Sequence, residues 1–238
     1  MRRKDYCIMS NIVIGIEGYV GAGKTSICRE LLHKIPNSIL LHGGNLYRAI
    51  VYSLLQQGKD IKTLKKEMKQ IDIKQVMEGI GIQIKLKDRE TVVYIKGEEV
   101  KEQELQNVQS SLAVSAISQV ADNTQLYEFA RHLIDQFKQQ NHVICSGRDL
   151  MGIYPNLDYH ILITASLQER VRRKCIQYNG QIESEIVKQT IQQRDEMQEK
   201  SGYYKQYPNT ITVDVTDCKT VQDSTEKVLQ YIKVPIAM

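Results

Sequence analysis

Several features that define common classes of protein are missing from this sequence of 238 residues. No apolar run approaches the roughly 18 residues that a transmembrane helix requires, so we expect no membrane partner. The five cysteines form no C-x-x-C pair and have no metal-ligand spacing, which indicates reduced thiols in a cytoplasmic protein. The net charge of +4 suits an anionic small molecule but is far below the basic excess typical of proteins that bind nucleic acids.

The chain also has no internal repeat, low-complexity tract or interdomain linker. Its length and its hydrophobic content of 42% predict a single domain over residues 1–238. Short apolar segments alternate with helical patterns, which predicts an α/β fold with a parallel sheet covered on both faces by helices. The predicted strands of this five-stranded sheet are residues 12–16, 38–41, 143–145, 159–163 and 210–213.

Two segments depart from this alternation. In residues 81–100 apolar and polar side chains alternate, which predicts an antiparallel hairpin in a small substrate-side insertion subdomain at about residues 60–107. Residues 165–202 contain a strongly basic helix and a polar helix, which together fit a helical lid. A solvated basic surface is the alternative interpretation of that segment.

The most specific motif lies at residues 11–30, in NIVIGIEGYVGAGKTSICRE. GYVGAGKT matches G-x-x-x-x-G-K-[ST], the phosphate-binding P-loop, between a predicted strand and a predicted helix. We expect Gly18, Gly21 and Gly23 to take positive φ angles and bring backbone N–H groups to phosphate, while Lys24 contacts the β- and γ-phosphates. Thr25 would bind Mg²⁺. The predicted ATP-binding residues are Gly18, Gly21, Ala22, Gly23, Lys24, Thr25 and Ser26.

Arginines are the expected tools of phosphoryl transfer, because the planar guanidinium binds phosphate oxygens in pairs. Arg48 follows a glycine turn near a helix start, where it is either a phosphate ligand or a surface side chain. Arg148 and Asp149 directly follow a predicted buried strand, which favours ligand-facing positions over a local ion pair.

Further charged residues are ambiguous on position alone. Arg170, Arg173 and Lys174 share one helix face by their spacing, as either a solvated face or part of a lid. Arg194 and Asp195 are adjacent in a polar helix, which indicates an ion pair on the surface. Glu17 precedes the P-loop and would act as a base, as a partner of Mg²⁺, or as a turn cap.

In order and content, these pieces resemble the bacterial cytidylate kinases, a family of nucleoside monophosphate kinases. The likeness runs from residue 11 to about residue 232, through GYVGAGKTS, LLHGGNLYRAI, KGEEV, SQVA, SGRD, QERVRRK and QQRD. The resemblance implies a P-loop kinase core, ATP and Mg²⁺ as cofactors, a monomer, and phosphoryl transfer to CMP or dCMP.

The resemblance also implies roles for individual residues. Arg48 and Arg148 would bind the acceptor phosphate, Ser118 and Asp149 would read the cytosine, and Arg194 would add a contact from the lid. Two lid arginines would meet the transferring phosphoryl group. The implied catalytic set is Lys24, Arg148, Arg170 and Arg173.

The chain departs from the family pattern mainly in the acceptor half. Ser146 stands where the family has aspartate, Tyr127 and Gln109 stand where it has arginine, and Gly43 stands where it has serine. The family run DRDRNR is replaced by EMQEKS at residues 196–201. Each lost charged hydrogen bond costs roughly 1.5–3 kcal/mol, so an altered acceptor is one hypothesis.

Two rival functions follow from the same residues. IEG before the P-loop resembles deoxynucleoside kinases, in which a glutamate at the position of Glu17 acts as base on a sugar hydroxyl. Those enzymes lack the hairpin and the SQVA and SGRD segments, so a kinase for a nucleoside or another small molecule is the second hypothesis. A nucleotide-binding switch without catalysis, suggested by Ser146, is the third.

Overall fold

The structure, a computed structural model, describes residues 10–68, 72–105, 110, 113–114, 117 and 124–234. The strands are β1 Val13–Gly18, β2 Ser38–His42, β3 Ile82–Lys87, β4 Glu90–Ile95, β5 Glu98–Val100, β6 His142–Ser146, β7 Tyr159–Thr164 and β8 Thr210–Asp214. The helices are α1 Lys24–Lys34, α2 Gly43–Gln56, α3 Ile61–Glu67, α4 Ile73–Ile80, α5 Glu102–Leu105, α6 Thr124–Lys138, α7 Leu150–Ile153, α8 Leu167–Gln177, α9 Ser184–Lys200 and α10 Val221–Leu229.

The sheet is parallel through its centre, in the order β2-β6-β1-β7-β8. The register pairs Ile16 with Ser146, and His42 with Ser146 on the other side. The carboxyl ends of β1, β2 and β6 therefore lie together, and the P-loop, the start of α2 and the SGRD turn leave the sheet at one edge. This arrangement confirms the predicted α/β fold with a largely parallel sheet.

The antiparallel hairpin extends the same sheet. β3 pairs with β4, β4 pairs with β5, and β4 joins β2 where Leu40 pairs with Glu90. The Leu40 N–H also donates to the Arg89 carbonyl at 2.8 Å. The charged region before the hairpin forms α3 and α4, which begin at the capping carboxylates of Asp60 and Asp72.

Alternating side chains of β1 enter two different layers of the core. Ile14 and Ile16 pack in a cluster with residues of α1 and α10. Val13 packs on the opposite face, in a cluster with residues of α6 and α7. Because strand side chains alternate, Glu17 lies on this second face, away from α1. Within the described residues, no helix combines the length and the apolarity that a bilayer span demands.

Candidate active site

The P-loop has the backbone geometry of an anion-binding turn. Gly21 and Gly23 have φ angles of 82° and 93°, in the left-handed region that favours glycine. Gly18 was expected to share this property, and that expectation is wrong, because Gly18 is the last residue of β1. It is needed for space instead, since a Cβ atom there would lie 2.9 Å from the carbonyl oxygen of Ile163.

Lys24 begins α1 and points across to β6. Its Nζ atom donates to the Ser146 hydroxyl at 2.8 Å. Burial, together with the nearby charges of Arg148 and Arg48, lowers the pKa of Lys24 to about 7. Thr25, one residue on, is half-buried. Lys24 is thus held in a half-buried position beside other cations, where a bound anion would favour its charged form.

Lys24, Arg48, Arg148 and Arg194 form a group of mutually repelling charges, here called the cation cluster. Burial lowers the pKa of Arg48 to about 10, with Arg148 and Arg194 as further causes. Burial also lowers the pKa of Arg194, and Arg148 adds to that shift. The structure therefore brings together one residue from each of four segments, α1, α2, α9 and the SGRD turn.

Three carboxylates raise the pKa values of the cation cluster only weakly, because each carboxylate forms a hydrogen bond or ion pair with another group. Glu17 acts on Lys24, Glu102 acts on Arg48 and Asp195 acts on Arg194. The closer partners are the Leu150 N–H for Glu17 at 2.6 Å, Arg29 for Glu102 at 2.6 Å and Arg170 for Asp195 at 2.5 Å. The cation cluster consequently keeps a net positive charge that a ligand can neutralise.

Three buried side-chain polar atoms lack a hydrogen-bond partner among the described residues. They are Nε of Arg194, which belongs to the cation cluster, the hydroxyl of Tyr47 and Oγ of Ser53. Tyr47 is only 7% exposed. Buried polar groups without partners are rare in folded proteins, and a bound ligand is one way to satisfy them. Sequence reasoning did not select Tyr47, although it directly precedes Arg48 in the matched segment.

Asp149 follows Arg148 in a left-handed conformation, with a φ angle of 50°. The Tyr127 hydroxyl donates to its Oδ2 atom at 2.8 Å. Burial raises the pKa of Asp149, and the Tyr127 hydrogen bond partly opposes that shift. Tyr127, which stands where the family has arginine, is therefore a partner of Asp149. Ser118 and Gln109 lie outside the described residues.

Arg170 connects α8 to the P-loop. Its Nη1 atom donates to Asp195 at 2.5 Å and to the Val20 carbonyl at 3.1 Å, and Asp195 accepts from the Val20 N–H at 3.3 Å. The expectation of a surface pair between Arg194 and its neighbour is thus wrong. Asp195 pairs with Arg170 because α9 packs its apolar side chains on Val20.

Arg173 makes a second connection of the same kind. Its guanidinium donates to the carbonyls of Ala22 at 3.0 Å and Val215 at 2.7 Å, and to Glu169 at 2.8 Å. Both predicted lid arginines therefore contact the protein's own backbone. Their role toward a transferring phosphoryl group stays a prediction.

Glu17 is buried below the SGRD turn and is 3% exposed. Its Oε1 atom accepts from the Leu150 N–H at 2.6 Å and lies 3.3 Å from Nε2 of His160. These contacts fix the start of α7, immediately after Asp149. Glu17 is thereby placed as a support of the SGRD turn rather than as a partner of the P-loop.

A P-loop at the carboxyl edge of a largely parallel sheet defines a nucleotide-binding protein of the P-loop class. The chain belongs to the cytidylate kinase family, whose family model matches residues 14–234. It is 27% identical to the cytidylate kinase of Clostridioides difficile over 95% of this chain and 100% of that protein. It is 26% identical to the cytidylate kinase of Bacillus licheniformis, over 93% and 96% of the two chains.

A solved structure of thymidylate kinase from Candida albicans is 14% identical, with a TM-score of 0.43 over 96% of this chain and 97% of that one. A match this distant identifies no substrate.

The lowered pKa of Lys24 predicts proton uptake when ATP binds. At pH 8 most of the Lys24 amino groups are neutral in the free protein, and phosphate oxygens would restore the charged form, taking up about one proton. Calorimetric titration of Mg-ATP in two buffers of different ionisation enthalpy measures this number. Lys24→Met should abolish the uptake, whereas Lys34→Met, at the other end of α1, should keep it. Equal heats in both buffers for the unmodified protein would contradict the assignment.

Proposed function

We propose that this chain transfers the γ-phosphoryl group of ATP to the phosphate of CMP or dCMP, giving CDP or dCDP and ADP. The observation that supports this most directly is the cation cluster. Lys24, Arg48, Arg148 and Arg194 form no ion pair with a carboxylate in the described part of the chain. Two phosphate groups, one from each substrate, would neutralise it. A nucleoside acceptor would bring no charge to the three arginines.

On the donor side, the P-loop amides and Lys24 would hold the β- and γ-phosphates of ATP. Mg²⁺ usually takes most of its ligands from water and substrate phosphates, so the single hydroxyl of Thr25 at the start of α1 fits it. When bound, Mg²⁺ would neutralise charge on the phosphates as the bond between the β- and γ-phosphates breaks.

On the acceptor side, Arg48 and Arg148 would bind the CMP phosphate and align one of its oxygens with the γ-phosphorus. That oxygen forms the new bond to phosphorus while ADP leaves with the bridging oxygen. A phosphate oxygen is largely deprotonated at neutral pH, because its second pKa is about 6, so the attack needs no general base. Asp149, with Tyr127 beside it, would read the cytosine.

Residues 165–202 would form a lid, and Arg170 and Arg173 would attach the first helix of this lid to the P-loop. In the structure they join α8 to the P-loop carbonyls of Val20 and Ala22. Closure of this lid would exclude water from the γ-phosphate and so suppress hydrolysis of ATP. We further propose that the insertion at about residues 60–107 belongs to the acceptor side, and that the protein acts as a cytoplasmic monomer.

The family comparison and the geometry disfavour the nucleoside kinase alternative. A sugar hydroxyl requires a general base within hydrogen-bond reach. Glu17, the candidate base, is buried against Leu150 and His160 on the sheet face opposite α1.

ADP release from Mg-ATP should therefore occur with CMP or dCMP and not with cytidine or deoxycytidine. Arg48→Met should raise the KM for CMP at least about tenfold, because one charged contact to phosphate is lost, and should leave the KM for ATP within about twofold. Arg172→Met, which removes an exposed lid arginine, is the matched control. Turnover of nucleosides alone would overturn the proposal.

Glu17→Gln separates the two enzyme hypotheses. The amide oxygen of glutamine can still accept the Leu150 N–H, so kcat with CMP should change by less than about threefold. If Glu17 were the general base on a sugar hydroxyl, kcat with deoxycytidine would fall by roughly 10²–10⁴. A fall of that size, in a variant whose thermal unfolding is unchanged, would favour the nucleoside kinase.

A further inference from the structure

Tyr204 lies between the P-loop and the SGRD turn. It follows α9, and its side chain is 7% exposed. On one side its ring stacks on Tyr19 of the P-loop, with centroids 4.2 Å apart and an interplanar angle of 21°. On the other side the guanidinium carbon of Arg148 lies 5.3 Å from the ring centroid. One aromatic ring thus touches both the donor loop and a residue of the cation cluster.

Gln198 contacts both Arg148 and Tyr204 through one oxygen atom. Its Oε1 accepts a hydrogen bond from Nε of Arg148 at 2.9 Å. It also accepts one from the hydroxyl of Tyr204. Gln198 is 8% exposed, so these contacts are shielded from water. As a neutral residue, it orients Arg148 without neutralising its charge.

The backbone of Tyr204 is held in an uncommon conformation, with a φ angle of 63°. Non-glycine residues take this left-handed region only where the surrounding contacts determine it. The position of the ring is therefore specified by packing between Tyr19, Arg148 and Gln198. It is not a side chain that happens to lie on the surface of the lid.

We propose that Tyr204 and Gln198 are positioning residues that hold Arg148 in the orientation in which it binds the acceptor phosphate. This inference rests on the proposed function, because that function gives Arg148 its ligand. A long arginine side chain loses rotamer freedom on binding, and contacts that restrict it beforehand reduce that cost. Because Tyr204 also stacks on Tyr19, the orientation of Arg148 depends on the lid lying against the P-loop.

From the sequence, the segment around Gln198 suggested only that charged contacts typical of the family are lost. Residues 196–201 replace the charged DRDRNR run of the family. In the structure, Gln198 from this segment and Tyr204 just after it form a connected set of contacts around Arg148. The chain therefore has its own means of supporting an acceptor arginine.

A double-mutant cycle between Tyr204 and Arg148 tests the proposal. Tyr204→Phe keeps the ring but removes the hydrogen bond to Gln198, and should raise the KM for CMP about fivefold with the KM for ATP within about twofold. Gln198→Met should do the same. In an Arg148→Met background, either change should alter the KM for CMP by less than about twofold, because they act through Arg148.

Tyr207→Phe is the matched control, since it removes another hydroxyl from the same loop, and its ring contacts His160 instead of Arg148. Tyr204→Leu removes the stack as well and should also raise the KM for ATP. Additive effects of Tyr204→Phe and Arg148→Met would overturn the proposal. So would a Tyr204→Phe variant that lowers the melting temperature while both KM values stay unchanged.

A binding experiment distinguishes failure of the proposed function from failure of the positioning role. If the unmodified protein phosphorylates no nucleotide, the same cycle is measured as binding of pyrophosphate by calorimetry. Loss of affinity in Tyr204→Phe that disappears in the Arg148→Met background would support the positioning role without the acceptor assignment. Unaltered pyrophosphate affinity in both single variants would overturn it.

Discussion

Repulsion among four half-buried cations is the constraint on which the rest of this site depends. Lys24, Arg48, Arg148 and Arg194 come from four segments that only the folded sheet brings together. Burial and the charges of the neighbouring arginines lower the pKa values of Lys24, Arg48 and Arg194. Such an arrangement costs folding free energy in the absence of a ligand. That cost is the reason to expect strong binding of phosphate.

The chain stabilises this arrangement by giving its other charges structural partners. Arg170 and Asp195 form an ion pair that binds both backbone groups of Val20. Arg173 fixes Ala22, two residues further along the P-loop. The carboxylate of Glu17 supports the SGRD turn through the Leu150 N–H. Arg170 and Arg173, which form ion pairs with carboxylates, are therefore distinct from the cations that remain available to substrates.

The sequence was most informative where the signal is local. The P-loop, the strand–helix alternation and the hairpin follow from glycine spacing and hydrophobic period, and the structure agrees with them. The role of Gly18 was misjudged. Glycine is needed there because Ile163, in a strand far along the chain, leaves no room for a Cβ atom. The partner of Asp195 was misjudged for a related reason. The packing of α9 on Val20, which buries that residue, has no local signature.

The residues of the proposed acceptor site could not all be assigned from the sequence either. Alignment with the family marks Tyr127 and Gln198 as missing charges, whereas the structure shows them as hydrogen-bond partners of Asp149 and Arg148. Both contacts join residues far apart in the sequence, so spacing within one helix or loop cannot reveal them. The four cations were each visible as candidates, but their mutual proximity depends on the sheet order.

The central claim is that the cation cluster requires a phosphate on the acceptor. Calorimetric titration of CMP and of cytidine into the ligand-free protein, at two salt concentrations, tests it most directly. We predict that CMP binds, that its affinity falls as salt rises, and that cytidine binds at least about a hundredfold more weakly. Equal affinity for the two compounds, or an affinity for CMP that does not change with salt, would contradict the claim.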